Sequence, residues 1–197
     1  MKRRAHIFAL VILLFCVALL VACGKRREKP TLSPSDAHTQ VFDSVMTLIG
    51  KGAITSEAEF DSTRNSLSAS IIWKVRSDGL QGESRLRYAQ LLLWSGSREK
   101  ARRIFEDIRT CKDKYASESW KELITMDIEA ERYANAEASM KEYRVTFPPD
   151  TSDLKYLFSP CVLLCDRYSE ANRPDAAIRV CEDELNAMPA DAPYQSF

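Results

Sequence analysis

Cysteines are the side chains of this sequence whose type and spacing could most readily do chemistry. Four of the six lie in the C-terminal half, at Cys111, Cys161, Cys165 and Cys181. Cys161 and Cys165 are four positions apart and therefore share one face of a helix, and Cys181 falls on the next helix along the chain. In an oxidising compartment a Cys161–Cys181 disulfide is feasible and would stabilise this region by roughly 2–4 kcal/mol. The alternative is that these cysteines are small buried apolar side chains.

Other catalytic or metal chemistry is not indicated. The spacing of Cys161 and Cys165 matches neither C-x-x-C nor a zinc knuckle, so we predict no metal site and no cofactor. His38 is the one histidine beyond the N-terminal segment, which excludes a multi-histidine metal site and disfavours a Ser-His-Asp triad. Segments 79–82 and 95–97 are typical of turns rather than of a phosphate loop or a nucleophile elbow. We predict that the protein is not an enzyme and has no small-molecule substrate.

The N-terminal segment has the layout of an export signal. Residues 2–4 are basic, and residues 7–22 form an apolar run. A run of this length is shorter than the roughly 20 residues of a comfortable membrane span, so it predicts a signal peptide. Because residues 25–27 are also basic, an uncleaved N-terminal membrane helix is the alternative.

The end of that run, Leu20-Val21-Ala22-Cys23-Gly24, resembles the lipobox of bacterial lipoproteins. The resemblance implies a signal peptide over residues 1–22, cleavage before Cys23, and acyl chains on the Cys23 thiol and the new amino terminus. Two or more chains anchor a protein stably, whereas one binds only marginally. Residues 23–35 then read as a lipidated polar tether. The expected location is the cell envelope, with the outer membrane of a Gram-negative bacterium favoured.

Charge gives no reason to expect a nucleic-acid partner. The sequence has 28 basic and 28 acidic residues. Removing residues 1–22 removes three basic residues and no acidic residue. The mature chain would therefore be slightly acidic, which disfavours nucleic acid as a ligand. The expected partners are the membrane, through the lipid on Cys23, and other envelope proteins or peptides.

From Asp36 onward the apolar residues recur at helical spacing, which predicts an all-α fold. Segment 50–52 ends a first helix, and the spacing of Ser56 and Glu59 fits a capping box at the start of a second. Residues 36–82 are therefore predicted to form an antiparallel helix pair. The first helix is predicted to bury Val41, Phe42, Val45, Met46 and Ile49, and the second to bury Phe60, Leu67, Ile71, Ile72 and Val75.

Residues 83–197 contain an internal repeat of small and large apolar residues. The first copy has Ala89, Leu92, Gly96, Ala101 and Phe105; the second has Trp120, Ala136, Met140 and Pro148; the third has Cys161, Leu164, Tyr168, Ala177, Cys181 and Pro189. This pattern resembles the tetratricopeptide repeat (TPR), in which a small residue sits at the helix crossing and an Ala-x₃-Phe spacing marks the second helix. The resemblance implies antiparallel helix pairs stacked as a short right-handed superhelix. The alternative is an ordinary helical bundle that shares the spacing by chance.

By the same resemblance, the first helix of each repeat lines a concave groove that binds an extended peptide or a partner helix. The groove candidates are Arg87, Gln90, Lys121, Thr125, Asp166 and Ser169. Each could instead belong to a solvated helix face.

The predicted function is that of a lipid-anchored extracytoplasmic protein–protein interaction module, an adaptor or scaffold. The alternative is the sensory extracytoplasmic part of a longer TPR signalling protein. Residues 190–197 look like the opening of a further helix, which leaves the last repeat uncapped or truncated.

Overall fold

The computed structural model describes residues 30–111, 113–147 and 154–187, with the backbone alone for residues 154–159. The predicted signal peptide, Cys23, most of the tether, both repeat prolines at 148 and 189, and the C-terminal segment 190–197 lie outside the described residues.

Eight α-helices account for most of the described chain. They are α1 Pro34–Gly50, α2 Glu57–Ile71, α3 Gly82–Trp94, α4 Arg98–Arg109, α5 Lys114–Glu129, α6 Tyr133–Thr146, α7 Leu154–Glu170 and α8 Pro174–Asn186, with a 3₁₀ turn at Ile72–Lys74. An isolated bridge between Leu32 and Val75 is the only β-type pairing in the described part. The predicted all-α class is confirmed for these residues. None of the described helices is long and apolar enough to cross a membrane.

The fold begins before the predicted end of the tether at residue 35. The Leu32 N–H donates to the Lys74 carbonyl at 3.0 Å, and the Arg76 N–H donates to the Leu32 carbonyl at 3.0 Å. Ser33 then caps α1 by accepting a hydrogen bond from the Asp36 N–H at 3.1 Å. Pro34 starts the helix because its fixed φ suits the first helical position and its missing N–H would have no partner there. Residues 32–35 therefore belong to the folded part, and a tether would end at residue 31.

The apolar stripe predicted for α1 was too wide. Ala37, Val41 and Val45, which are spaced four apart, are buried, at 0, 2 and 1% exposure. Phe42 and Met46 are 49 and 46% exposed, because they lie about a quarter of a turn from the buried row. The prediction that they belong to the core was wrong, and Ile49 is exposed as well.

The capping box at the start of α2 is confirmed. The Ser56 hydroxyl accepts from the Glu59 N–H at 3.3 Å, and the Glu59 carboxylate accepts from the Ser56 N–H at 3.2 Å. Each side chain thus satisfies an amide that the first helical turn leaves without a partner.

One type of turn closes the C-terminal ends of helices α1, α3, α5 and α7. After α3, the N–H of Gly96 donates to the carbonyl three residues back at 3.1 Å, and the next N–H donates to the carbonyl five residues back at 2.8 Å. This is the Schellman motif, which requires a residue with positive φ. Gly96 has φ 86°, and the equivalent residues Gly52, Glu131 and Asn172 have φ 67°, 57° and 55°. The last three units therefore share one helix–turn–helix geometry at steps of 35 and 41 residues.

The first two junctions between pairs involve both helices of the pair, since α2 contacts α3 and α4 contacts α5. Helix α1 contacts α2 and α3, α3 contacts α4 and α5, and α5 contacts α6 and α7. The small residues Ala101 and Ala136 are fully buried where the paired helices cross. Three apolar clusters fill the interior, one at α1–α3, one at α3–α5 and one at α5–α8.

The predicted repeat register holds in two copies and slips in the third. Phe105 and Met140 are 0 and 5% exposed, as the Ala-x₃-Phe spacing requires. In the third copy Val180 is 3% exposed, whereas Cys181 is exposed. The assignment of Cys181 to the buried aromatic slot was wrong, because Val180 one position earlier fills that space.

Candidate functional site

A polar surface runs across the contact between α3 and α5. We call Glu83, Arg87, Gln90, Glu118 and Glu122 the α3–α5 polar face. Glu83, Arg87 and Gln90 share one side of α3, and Glu118 and Glu122 share one side of α5. The Glu83 and Glu118 side chains are 52 and 49% exposed, so the outer parts of this face are open to a partner.

Hydrogen bonds fix the centre of the polar face. The Gln90 amide accepts from Arg87 Nη1 at 2.9 Å and donates from Nε2 to Glu122 Oε1 at 2.9 Å. Arg87 also lies 3.5 Å from Glu83 Oε1 and 3.9 Å from Glu118 Oε2. Gln90 itself is only 7% exposed, so it acts as the link between the two helices rather than as a free ligand group.

The protonation of Glu122 depends on this environment. Burial raises the pKa of the Glu122 carboxyl, and the neighbouring Glu118 carboxylate raises it further, while the hydrogen bond from Gln90 lowers it. Desolvation is the largest of these effects because it removes water from the charged form. A partner that brought a positive charge or a hydrogen-bond donor to Glu122 would stabilise the carboxylate.

An aromatic cluster borders the polar face on the side of α1 and α2. The His38 and Trp94 ring centroids are 4.9 Å apart, and the Arg64 guanidinium lies 5.0 Å above the Trp94 ring. Burial, followed by the positive charge of Arg87, lowers the pKa of His38 to about 4. His38 is therefore neutral at physiological pH and serves as a packed ring.

The structure brings together two of the six predicted groove residues. Arg87 and Gln90 are hydrogen-bonded neighbours at the centre of the polar face. Thr125 is half-buried on α5, at the position 35 residues after Gln90. Asp166 and Ser169 are exposed on α7, where the Ser169 hydroxyl donates to the Cys165 carbonyl at 2.9 Å.

The prediction for Lys121 was off by one residue. Its ammonium lies 5.9 Å from the centre of the Tyr143 ring on α6, because one residue turns a helical side chain through about 100°. Glu122 occupies the place expected for Lys121 and was missed from the sequence. Adding the 35-residue repeat step to Arg87 would have found it.

Three thiols meet where α7 packs on α8. Cys161 and Cys165 project from the same side of α7, and Cys181 comes from α8. The Cys165 and Cys181 sulfur atoms are 3.1 Å apart, and all three sulfur atoms lie within 4.8 Å of one another. The spacing of Cys161 and Cys165 alone matches no thiol motif, but the pairing of α7 with α8 adds Cys181 as a third thiol.

The surroundings of Cys161 and Cys165 favour the protonated forms of these two thiols. Burial raises the pKa of Cys161 well above its usual range and raises that of Cys165 to about 11. The four described cysteines are free thiols, and Cys165 lies closest to Cys181. The predicted Cys161–Cys181 disulfide stays a prediction, and the geometry makes Cys165 the nearer partner.

The comparisons with known proteins give no relatives to guide the assignment. No family model, no curated protein and no solved structure matches this chain.

Proposed function

We propose that this chain is a lipid-anchored extracytoplasmic interaction module of TPR-like helical repeats at a bacterial envelope membrane. Its role in this proposal is to hold a protein partner close to the membrane surface as an adaptor or scaffold. The partner is an extended segment or a helix of another envelope protein.

The observation that carries the proposal is the recurring helix–turn–helix unit. Three successive units share the Schellman turn, with positive φ at Gly96, Glu131 and Asn172. Units of this kind cannot bury their apolar faces alone, so they stack and leave one continuous face along their first helices. A right-handed TPR-like superhelix is the arrangement that we propose for them, in agreement with the Ala-x₃-apolar spacing.

The binding surface in this proposal is the α3–α5 polar face. Its centre is pre-organised, because the link from Gln90 to Glu122 and the contacts of Arg87 hold the side chains in place before a partner arrives. Pre-organisation lowers the entropy that binding would otherwise cost. The exposed carboxylates of Glu83 and Glu118 and the adjoining Trp94 ring offer the mix of charge and aromatic surface common at interfaces.

The membrane anchor in this proposal is the lipid on Cys23. Since the fold starts at Leu32, residues 24–31 are the spacer, and at about 3.5 Å per residue they reach at most roughly 28 Å. The α3–α5 polar face would therefore lie no farther from the bilayer than the length of this spacer plus the width of the domain. Such a tether selects partners that are themselves at the same membrane.

The anchor is tested by growing cells that express the full-length chain with a labelled fatty acid. We expect label on the wild-type chain and none on Cys23→Ser, which should also keep its signal peptide. Equal labelling of the two chains, or label on neither, would contradict the lipoprotein assignment.

The binding face is tested with a matched pair of charge reversals. Glu118 on the polar face and Glu106 on α4 have similar side-chain exposures of 49 and 46%. After chemical cross-linking in cells and purification, we expect Glu118→Lys to reduce recovery of the partner by roughly tenfold or more, since a like charge at an interface costs several kcal/mol. Glu106→Lys should recover the same partner at the wild-type level. Equal recovery by both variants would place the binding surface elsewhere.

A further inference from the structure

The thiols of Cys161, Cys165 and Cys181 have the composition of a metal site. Soft thiolate ligands select thiophilic ions such as Zn²⁺ and Cu⁺. Two of the sulfur atoms come from positions four apart on α7, the spacing that lets one helix hold an ion from two side chains. The third comes from α8, so an ion here would join the two helices of the last repeat.

The sulfur positions fit the size of such an ion. A metal about 2.3 Å from each of three sulfur atoms separates the sulfur atoms by about 3.8 Å. The Cys165 and Cys181 sulfur atoms are 3.1 Å apart, and no pair is more than 4.8 Å apart. The required distance lies inside this range, so small side-chain rotations suffice to reach it.

A contact with α8 positions Cys165. Its sulfur lies 3.5 Å from the Ala177 carbonyl oxygen, so this thiol is held against the helix that carries Cys181.

The cluster is closed on one side and open on the other. Cys161 is 4% exposed and packs into the α5–α8 cluster, whereas Cys181 is exposed. An ion can therefore enter from the Cys181 side, where water can supply a fourth ligand.

We infer that Cys161, Cys165 and Cys181 form a three-thiolate site for one soft d¹⁰ cation such as Zn²⁺ or Cu⁺. On binding, each thiol loses its proton to solvent and its sulfur donates an electron pair to the metal, with no change of oxidation state. The inference does not depend on the proposed interaction function.

The competing fate of this cluster is a disulfide between Cys165 and Cys181. That bond requires a two-electron oxidant, whereas a metal ion binds the reduced thiols with no change of oxidation state. It also uses only two of the three sulfur atoms that meet here. A metal ion uses all three.

The test uses the full-length protein in detergent, reduced with a phosphine under anaerobic conditions and titrated with Cd²⁺ as the probe. We expect an ultraviolet thiolate-to-cadmium charge-transfer band that saturates at one ion per chain, and none with Mg²⁺. Bound Cd²⁺ should protect Cys165 and Cys181 from N-ethylmaleimide, as measured by peptide mass spectrometry. The exposed Cys111 should stay reactive throughout and serves as the internal control.

Serine variants assign the ligands. Each of Cys161→Ser, Cys165→Ser and Cys181→Ser should weaken Cd²⁺ binding by roughly 100-fold or more, whereas Cys111→Ser should bind as the wild type does. The protection experiment needs no variant, so a misfolded variant does not decide the outcome. Lack of a charge-transfer band, unchanged affinity in the three serine variants, or a Cys165–Cys181 disulfide in protein isolated without reductant would each overturn the inference.

Discussion

The Schellman turn after α5 has a residue that is poorly suited to it. Glu131 has φ 57°, a left-handed conformation that costs a residue with a Cβ about 1–2 kcal/mol. Glycine adopts it freely but loses about 0.5–1 kcal/mol through its greater freedom in the unfolded chain. Glu131→Gly should therefore raise the free energy of unfolding by about 0.5–1 kcal/mol and Tm by about 1–4 °C.

Two further substitutions give this prediction a graded series. Asn172→Gly should stabilise less than Glu131→Gly, because asparagine tolerates positive φ better than glutamate does. Gly96→Ala should destabilise by about 1 kcal/mol. Gly96 has φ 86°, and an added Cβ there would meet nothing within 4 Å, so the whole cost is conformational.

Gly50→Ala is the matched control for Gly96→Ala. An added Cβ at Gly50 also meets nothing within 4 Å, but Gly50 is the last residue of α1 and is not among the residues with positive φ. Alanine there should be neutral or stabilise by up to about 1 kcal/mol. Urea unfolding of the full-length chain in detergent, followed by circular dichroism, measures all four variants. If Glu131→Gly were destabilising, or if Gly96→Ala and Gly50→Ala behaved alike, the shared turn geometry would be refuted.

Three other predictions test the interior and its charges. Asp127→Asn should lower the free energy of unfolding in urea by about 2–3 kcal/mol, because two arginines donate to this 10% exposed carboxylate at 2.6 and 2.7 Å. The control is Asp107→Asn: the Asp107 side chain is 67% exposed, so this change should alter stability by less than about 1 kcal/mol. Phe105→Ala should lower the free energy of unfolding by about 3–5 kcal/mol, whereas Phe42→Ala should lower it by about 1 kcal/mol or less, because Phe42 is 49% exposed. Similar losses in the two variants would refute the repeat register. Because the pKa of His38 is lowered from 6.5 to about 4, the unfolded state binds the proton more readily, and the free energy of unfolding falls as pH drops from 6.5 toward 4. In His38→Gln the free energy of unfolding should depend less on pH across that range. The same pH dependence in the variant and the wild type would contradict the burial of the ring.

Local sequence signals predicted the elements of this fold well. The Ser56 capping box, the end of α1 near Gly50 and the turn at Gly96 each depend on a few neighbouring residues, and each is found where the sequence placed it. The burial of Phe105 followed from its spacing to Ala101, because the crossing of two paired helices needs one small and one large residue. These features were readable since their causes lie within one turn or one helix pair.

The errors arose where one residue of helical rotation decides the outcome. Phe42 and Met46 belong to an apolar sequence pattern, but only packing against α3 determines which row of α1 is buried. Lys121 and Glu122 exchange roles for the same reason, and so do Cys181 and Val180. The sequence placed Cys161 and Cys181 within reach of each other, but the 3.1 Å contact of Cys165 with Cys181 depends on how α8 is rotated against α7.

The most direct measurement of the central claim is site-specific photo-cross-linking in intact cells. A photoreactive amino acid replaces Glu118 on the α3–α5 polar face in one full-length chain and Glu106 on α4 in another. We predict a discrete adduct with an envelope protein from position 118, absent from position 106 and lost when Cys23→Ser removes the anchor. Adducts of equal yield from both positions, or none from position 118, would contradict the assignment of this face as the binding surface of a membrane-anchored module.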